Sequence, residues 1–129
     1  MRYLLDTHIM IWQFEADPKL PEHLQKLIDS PAHTIYVSRA SLWEMAIKTS
    51  MAKLTLSKSL SEIFQHIHKV GFEVFPIHDQ HLLGLEMLPF HHRDPFDRLL
   101  IATALAEDLT LISADRHFQT YEGLKLIWN

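Results

Sequence analysis

The chain has 129 residues, 47% hydrophobic and 22% charged, with a formal net charge of −4. That length fits a single domain over residues 1–129, large enough to bury a core without covalent staples. No cysteine is present, which excludes disulfides and thiolate metal sites and suits a cytoplasmic protein, while the acid excess argues against a broad nucleic-acid-binding surface.

The opening segment MRYLLDTHIMIW is apolar but carries Asp6 and His8, and it is too short to span a bilayer. It reads as core, and no membrane partner is expected. Residues 2–5 form a short buried strand that ends at Asp6, and THIMIWQFEA continues as a helix broken at Asp17-Pro18. Pro21 opens a second helix, PEHLQKLIDS, with Leu24, Leu27 and Ile28 on one face. TIYVS is a second strand, and Ser38 caps the next helix, RASLWEMAIKTSMA. A short extended piece, KLTL, leads to a helix opened by Ser59 or Ser61 and closed at Gly71. FEVFPI is a third strand, and HDQHLLGLEMLP is a helix stopped by Pro89. HHRDPFDRLLIATALA begins with two acids and runs on as an apolar helix. DLTLISAD is a fourth strand, RHFQTYEG a short helix or turn, and LKLIWN a fifth strand.

Strands alternating with helices predict an α/β fold of three layers, α/β/α, around a mainly parallel sheet of about five strands. In such sheets, ligands bind beyond the carboxyl ends of the strands, near the point where strand order reverses. Asp6 follows the first strand, and Ser113 and Asp115 follow the fourth. Glu44 lies early in the helix after the second strand, and Asp97 in the first turn of the helix leading into the fourth. These carboxylates, from distant segments, are thus expected at one edge.

Each acid also has an ordinary structural use. Asp6 and Asp115 could cap helices, and Glu44 could pair with Lys48 at i,i+4. Asp94 precedes Pro95, so it is the expected N-cap, with Asp97 at the third helical position, where an acid is also favoured by the helix dipole. Asp97 nonetheless shares a face with Leu100, Ile101 and Ala104, which directs it inward. Two charges about 4 Å apart repel by roughly 4 kcal/mol at an effective dielectric of about 20. Clustered carboxylates therefore hold either protons or a cation, and all-oxygen donors favour Mg²⁺ or Mn²⁺. Such a site suits phosphodiester hydrolysis.

YLLDTHIMIW, VSRASLWEMAIK and HRDPFDRLLIATALAEDLTLISAD resemble the PIN-domain nucleases, specifically the VapC-like toxins of type II toxin–antitoxin systems. The resemblance spans essentially the whole chain, with HRDPFDRLLIA and DTHxxxW its most specific parts; residues 52 to 88 are generic. It implies a ribonuclease in which Asp6, Glu44, Asp97 and Asp115 bind one or two divalent metals and Ser113 orients water. It further implies an RNA substrate, a homodimer and a cognate antitoxin protein. Thr7, Arg93, Arg98 and Arg116, with Arg39, are candidates to meet RNA, the arginines equally readable as helix-surface charges. Trp43, Met45, Met51 and Phe64 could line a dimer or antitoxin groove or, as such residues more often do, belong to the core. The ten histidines lack an H-E-x-x-H pattern, so no histidine metal site is expected and His91 and His92 receive no role. The alternative is a catalytically weak or inactive binding module of the same fold; a missing acid would favour it. A phosphoacceptor domain would need paired acids after the first strand and a late lysine, which LLDTH and LISAD lack. A D-x-D phosphatase fails because position 8 is histidine.

Overall fold

A computed structural model describes residues 1–128. In chain order it contains β1 (Arg2–Leu5), α1 (Thr7–Phe14), α2 (Glu22–Asp29), β2 (Thr34–Ser38), α3 (Arg39–Ser50) and α4 (Leu60–Val70). There follow β3 (Glu73–Phe75), α5 (Asp79–Met87), α6 (Pro95–Glu107), β4 (Thr110–Ile112), a 3-10 helix (Arg116–Thr120) and β5 (Leu126–Ile127). The strands form one sheet in the order β3-β2-β1-β4-β5, and every pairing is parallel.

Side chains alternate across a strand, and this builds two cores from one sheet. Tyr3 and Leu5 of β1 face a core shared with Ile9 and Met10 of α1, Leu24 and Ile28 of α2, Leu42 and Met45 of α3, and Ile63 and Ile67 of α4. Leu4 and Leu111 face the other way, against Leu100, Ile101 and Ala104 of α6, with Leu88, Phe118 and Tyr121. Both faces are covered, as all-parallel sheets require, and the chain is the three-layer α/β/α fold that its alternating pattern predicts.

Local chemistry sets the element ends. Ser59 and Glu62 form a reciprocal capping box at the start of α4, and Gly71 closes that helix at φ 81. Pro21 takes the N-cap position of α2, so the helix starts one residue later than expected. The third strand stops at Phe75 because Pro76 has no N–H to give to a sheet ladder. The fourth begins only at Thr110, since Asp108 closes α6 in the left-handed region at φ 54. KLTL pairs with no strand; Leu54 and Leu56 pack on the core instead. Of the expected fifth strand over 124–129, Leu126–Ile127 pair with β4, and Asn129 lies outside the described residues. Among the described residues no helix is long and apolar enough to cross a membrane.

Candidate active site

The chain runs from β1 outward through β2 and β3, then returns to place β4 on the other side of β1. Strand order therefore reverses between β1 and β4. Leu5 is in register with Val37 and with Ile112, which sets Asp6, Ser38 and Ser113 side by side just past the strand ends. All three are buried. Asp6 caps α1, its Oδ1 accepting from the Ile9 amide at 2.9 Å. Its Oδ2 accepts from the Ser113 hydroxyl at 2.5 Å, and Ser113 Oγ in turn accepts from the Asp115 amide at 3.1 Å. One serine thus orients two of the acids.

Ser38 caps α3 through the Ala40 amide at 3.0 Å, so α3 starts at this edge and carries Glu44 inward, only 2% exposed. Lys48 Nζ lies 2.5 Å from Glu44 Oε2, the i,i+4 pair visible in the sequence. Glu44 Oε1 is buried with no hydrogen-bond partner.

Asp94 caps α6, its Oδ1 accepting from the Phe96 and Asp97 amides at 2.8 and 3.1 Å. Pro95 is the first helical residue, and Asp97 sits in the first turn with its side chain 17% exposed. Trp43 of α3 meets Phe96 of α6 edge-on at 5.1 Å, which joins the two helix starts. Asp115 caps the 3-10 helix through the His117 amide at 2.9 Å. His92 Nε2 hydrogen-bonds Asp115 Oδ2 at 3.1 Å and lies 3.2 Å from Asp97 Oδ2.

The electrostatics show that the acids act on one another. Burial pushes the Asp97 carboxyl up to about 8, reinforced by the charges of Asp94, Asp6, Glu44 and Asp115. Burial also raises Asp6, against opposing hydrogen bonds from Ser113 and Ile9. At Asp115 burial pushes upward too, but hydrogen bonds from the His117 amide, His92 and the His117 ring outweigh it and hold the carboxyl below its usual range. The Lys48 ammonium is raised first by its bond to Glu44, against some desolvation, and further by the charges of Glu44, Asp94 and Asp97. Lys48 therefore also faces the acidic cluster.

The structure brings Asp6, Glu44, Asp97, Asp115 and Ser113 to this edge. Thr7 follows Asp6 directly but is buried, its hydroxyl donating to Ser41 Oγ at 2.8 Å. Arg39, Arg93 and Arg116 are exposed, each adjoining a capping residue of the edge. Arg98 is placed elsewhere. It is 6% exposed, and its guanidinium donates to the carbonyls of Pro89, Leu85 and Leu88 at 2.9, 3.4 and 3.2 Å. The physical reason is that the chain leaving α5 presents the Leu88 and Pro89 carbonyls outside the helical ladder, and a long side chain one turn into α6 reaches them and the Leu85 carbonyl. Met45, expected at a partner groove, is fully buried in the core, whereas Trp43, Met51 and Phe64 are exposed.

Two groups escaped the sequence reading. Lys48 was legible only as a partner for Glu44. His92 lies in an irregular loop, outside any periodic pattern, and its hydrogen-bond partner Asp115 is distant in the chain. His92, Asp115 and His117 bring ligand-type atoms within 4.8 Å of one another. The carboxylate set, by contrast, offers only oxygens, leaves Glu44 Oε1 unpartnered, and adds its repulsion to the burial that raises Asp97. Those properties suit a hard divalent cation such as Mg²⁺ or Mn²⁺.

The family profile described as PIN domain matches residues 3–124. Among solved structures, the chain is similar to VapBC2 from Rickettsia felis bound to a DNA fragment from their promoter, at 20% identity and a TM-score of 0.75, covering 99% of this chain and 98% of that one. It is similar to VapBC-1 from nontypeable Haemophilus influenzae at 21% identity and a TM-score of 0.67, covering 98% and 97% of the two chains. It is also similar to VapBC-5 from Mycobacterium tuberculosis, a member of the VapBC family of toxin-antitoxin systems, at 18% identity and a TM-score of 0.62, covering 98% and 96%. At these identities the likeness is one of fold. No curated protein matches the chain in sequence.

Proposed function

The chain belongs to the PIN-domain family, and on that premise we propose that it is a divalent-metal-dependent endoribonuclease, the toxin of a type II toxin–antitoxin pair acting in the cytoplasm. The observation that carries this reading is the gathering of acids from distant segments around Asp97: partly buried in the first turn of α6, it is raised to about 8 by that burial and then by Asp94, Asp6, Glu44 and Asp115. A site with more carboxylates than the one Lys48 ammonium can offset is prepared for a cation. When bound, Mg²⁺ or Mn²⁺ lowers the pKa of a water and offsets charge on phosphate oxygens.

The residues divide the remaining work. Asp6, Glu44, Asp97 and Asp115 supply the oxygens that hold the cation. Ser113 fixes Asp6 through its hydroxyl and Asp115 through its lone pair, and it can orient water. Arg93, Arg116 and Arg39 are the exposed cations available to RNA phosphate. Thr7 supports the edge through Ser41 and lines the hollow beside Glu44 and Lys48, where substrate can reach. Arg98 is left to structure. For the antitoxin, the fitting surface is the groove of about 520 Å³ lined by Leu42, Phe64, Ile67 and Phe72, with Trp43 and Met51 exposed on the same α3 region. For a second copy of the chain, it is the exposed apolar row Leu82, Leu83, Met87 and Phe90.

The test is cleavage of structured RNAs by the purified protein in Mg²⁺ or Mn²⁺, beside an Asp97→Asn variant. The parent should cleave and the variant should lose at least a hundredfold in rate, on the scale of removing several kcal/mol of charge stabilisation. Equal cleavage by the two proteins would reject the assignment.

One observation favours a second reading. Lys48 occupies an oxygen of Glu44, as it would in a catalytically weak binding module whose acids are neutralised internally. Such a protein would show no carboxylate-dependent heat on titration with Mn²⁺.

A further inference from the structure

We propose that His92 is a positioning residue of the carboxylate site: its neutral ring, with the proton on Nε2, holds Asp115 beside Asp97 from outside the cation's place. The proposal rests on the metal-site reading of the four acids and adds a residue that reading does not use.

The protonation of the ring follows from its backbone partner. His92 Nδ1 accepts a hydrogen bond from the Asp94 amide at 3.1 Å. A backbone N–H has only a proton to offer, so Nδ1 must present a lone pair. The ring is then neutral, and its single proton is on Nε2. A doubly protonated ring would set one N–H against another. The contacts from Nε2 to Asp115 and Asp97 are accordingly those of a neutral donor, hydrogen-bonded to Asp115 at 3.1 Å with Asp97 alongside at 3.2 Å.

The same logic decides what His92 is not. A histidine that ligates a metal must offer a lone pair at the ligating nitrogen. The Nε2 that approaches Asp115 and His117 carries the proton, so the three-residue cluster of His92, Asp115 and His117 is not a two-histidine metal site in this arrangement. Moving the proton to Nδ1 would break the bond from Asp94. That amide belongs to the residue that caps α6, whose Oδ1 accepts from the Asp97 amide. One short loop thus couples the helix start, the ring tautomer and two acids. Asp115 is held on its other side by His117, whose amide and ring nitrogen both meet Oδ1 at 2.9 Å. His92 is what reaches across to Asp97.

Outer donors of this kind set ligand orientation, and losing one weakens metal binding by about 10- to 100-fold. The test uses the intact chain and Mn²⁺ alone, by calorimetry at fixed pH, with His92→Gln and His92→Met. These two side chains are nearly alike in shape, and only glutamine keeps an N–H donor. His92→Met should weaken Mn²⁺ binding by about 10- to 100-fold, while His92→Gln stays within about threefold of the parent, an allowance of roughly 0.6 kcal/mol. The proposal is overturned if His92→Met binds within that same margin, or if His92→Gln is as weak as His92→Met, as it would be for a ligating ring. Melting curves of the metal-free proteins establish folding. Should His92→Met not fold, His92→Leu, which likewise has no donor, takes its place with the same margins. An Asp97→Asn control separates the two layers. Undiminished Mn²⁺ binding there would remove the metal site itself, whereas loss there with none in His92→Met removes only the role of His92.

Discussion

At neutral pH in the metal-free protein, Asp97 carries a proton that the unfolded chain would not hold. Its carboxyl is raised from 3.8 to about 8, by burial first and then by four acidic neighbours. The native state therefore binds more protons than the unfolded state between those two values, and this group's contribution to stability falls as pH rises through that window. Asp97→Asn removes the titration. In chelator the variant should melt above the parent at pH 8 to 9 by several degrees, and the gap should close toward pH 4 as the parent's Asp97 becomes protonated in both states. A gap that does not change with pH would mean that Asp97 is not raised in the folded protein. Asp94 responds differently because its work is done by one oxygen on two amides. Asparagine can do the same, so Asp94→Asn should change stability by only a few tenths of a kcal/mol, whereas Asp94→Ala should cost about 1 kcal/mol, read from denaturant midpoints.

Elements rather than residues explain Arg98. The expectation that it meets phosphate followed from its place near the start of α6, but the end of α5 claims it first. Its guanidinium donates to three carbonyls there and lies 4.0 Å over the Phe90 ring. Arg98→Ala should therefore destabilise the fold by about 2 kcal/mol, since it removes the guanidinium's bonds to three carbonyls, the buried one of Leu88 among them, and a cation–π contact. RNA affinity, measured where both proteins are folded, should be unchanged. Loss of affinity at unchanged stability would return Arg98 to the phosphate surface. The error has the same origin as the other misses. Periodicity, caps and punctuation gave β1, β2 and the Asp94-Pro95 start of α6, and narrowed the start of α4 to Ser59 or Ser61, because those signals are local. Strand lengths depend on partners, so β3 and β4 came out shorter than their apolar runs. The acids were legible because most follow a strand or open a helix. His92 was not, because its loop has no period and its bond to Asp115 is tertiary.

The whole molecule turns these local effects into one measurable linkage. An all-parallel sheet whose order reverses between β1 and β4 leaves a crevice at that edge, and the acids from β1, α3, α6 and the end of β4 are delivered there by the fold itself. Without a cation, their mutual repulsion is a load on the native state. On the proposed reading, a cation bound there would relieve it and add stabilisation of about 2.7 kcal/mol at a hundred times its dissociation constant. Below pH 8 the cation must displace the Asp97 proton, so its affinity should rise with pH until about 8 and then level. The metal-free protein loses stability over the same range. Melting temperatures with chelator and with fixed Mn²⁺ should accordingly diverge from pH 6 to 8, the gain from Mn²⁺ growing at each step. In Asp97→Asn the gain should be small and insensitive to pH. Two parallel curves for the parent would show that Asp97 neither holds the proton nor meets the cation. The acid cluster would then be a structural feature of the sheet edge and not its chemistry.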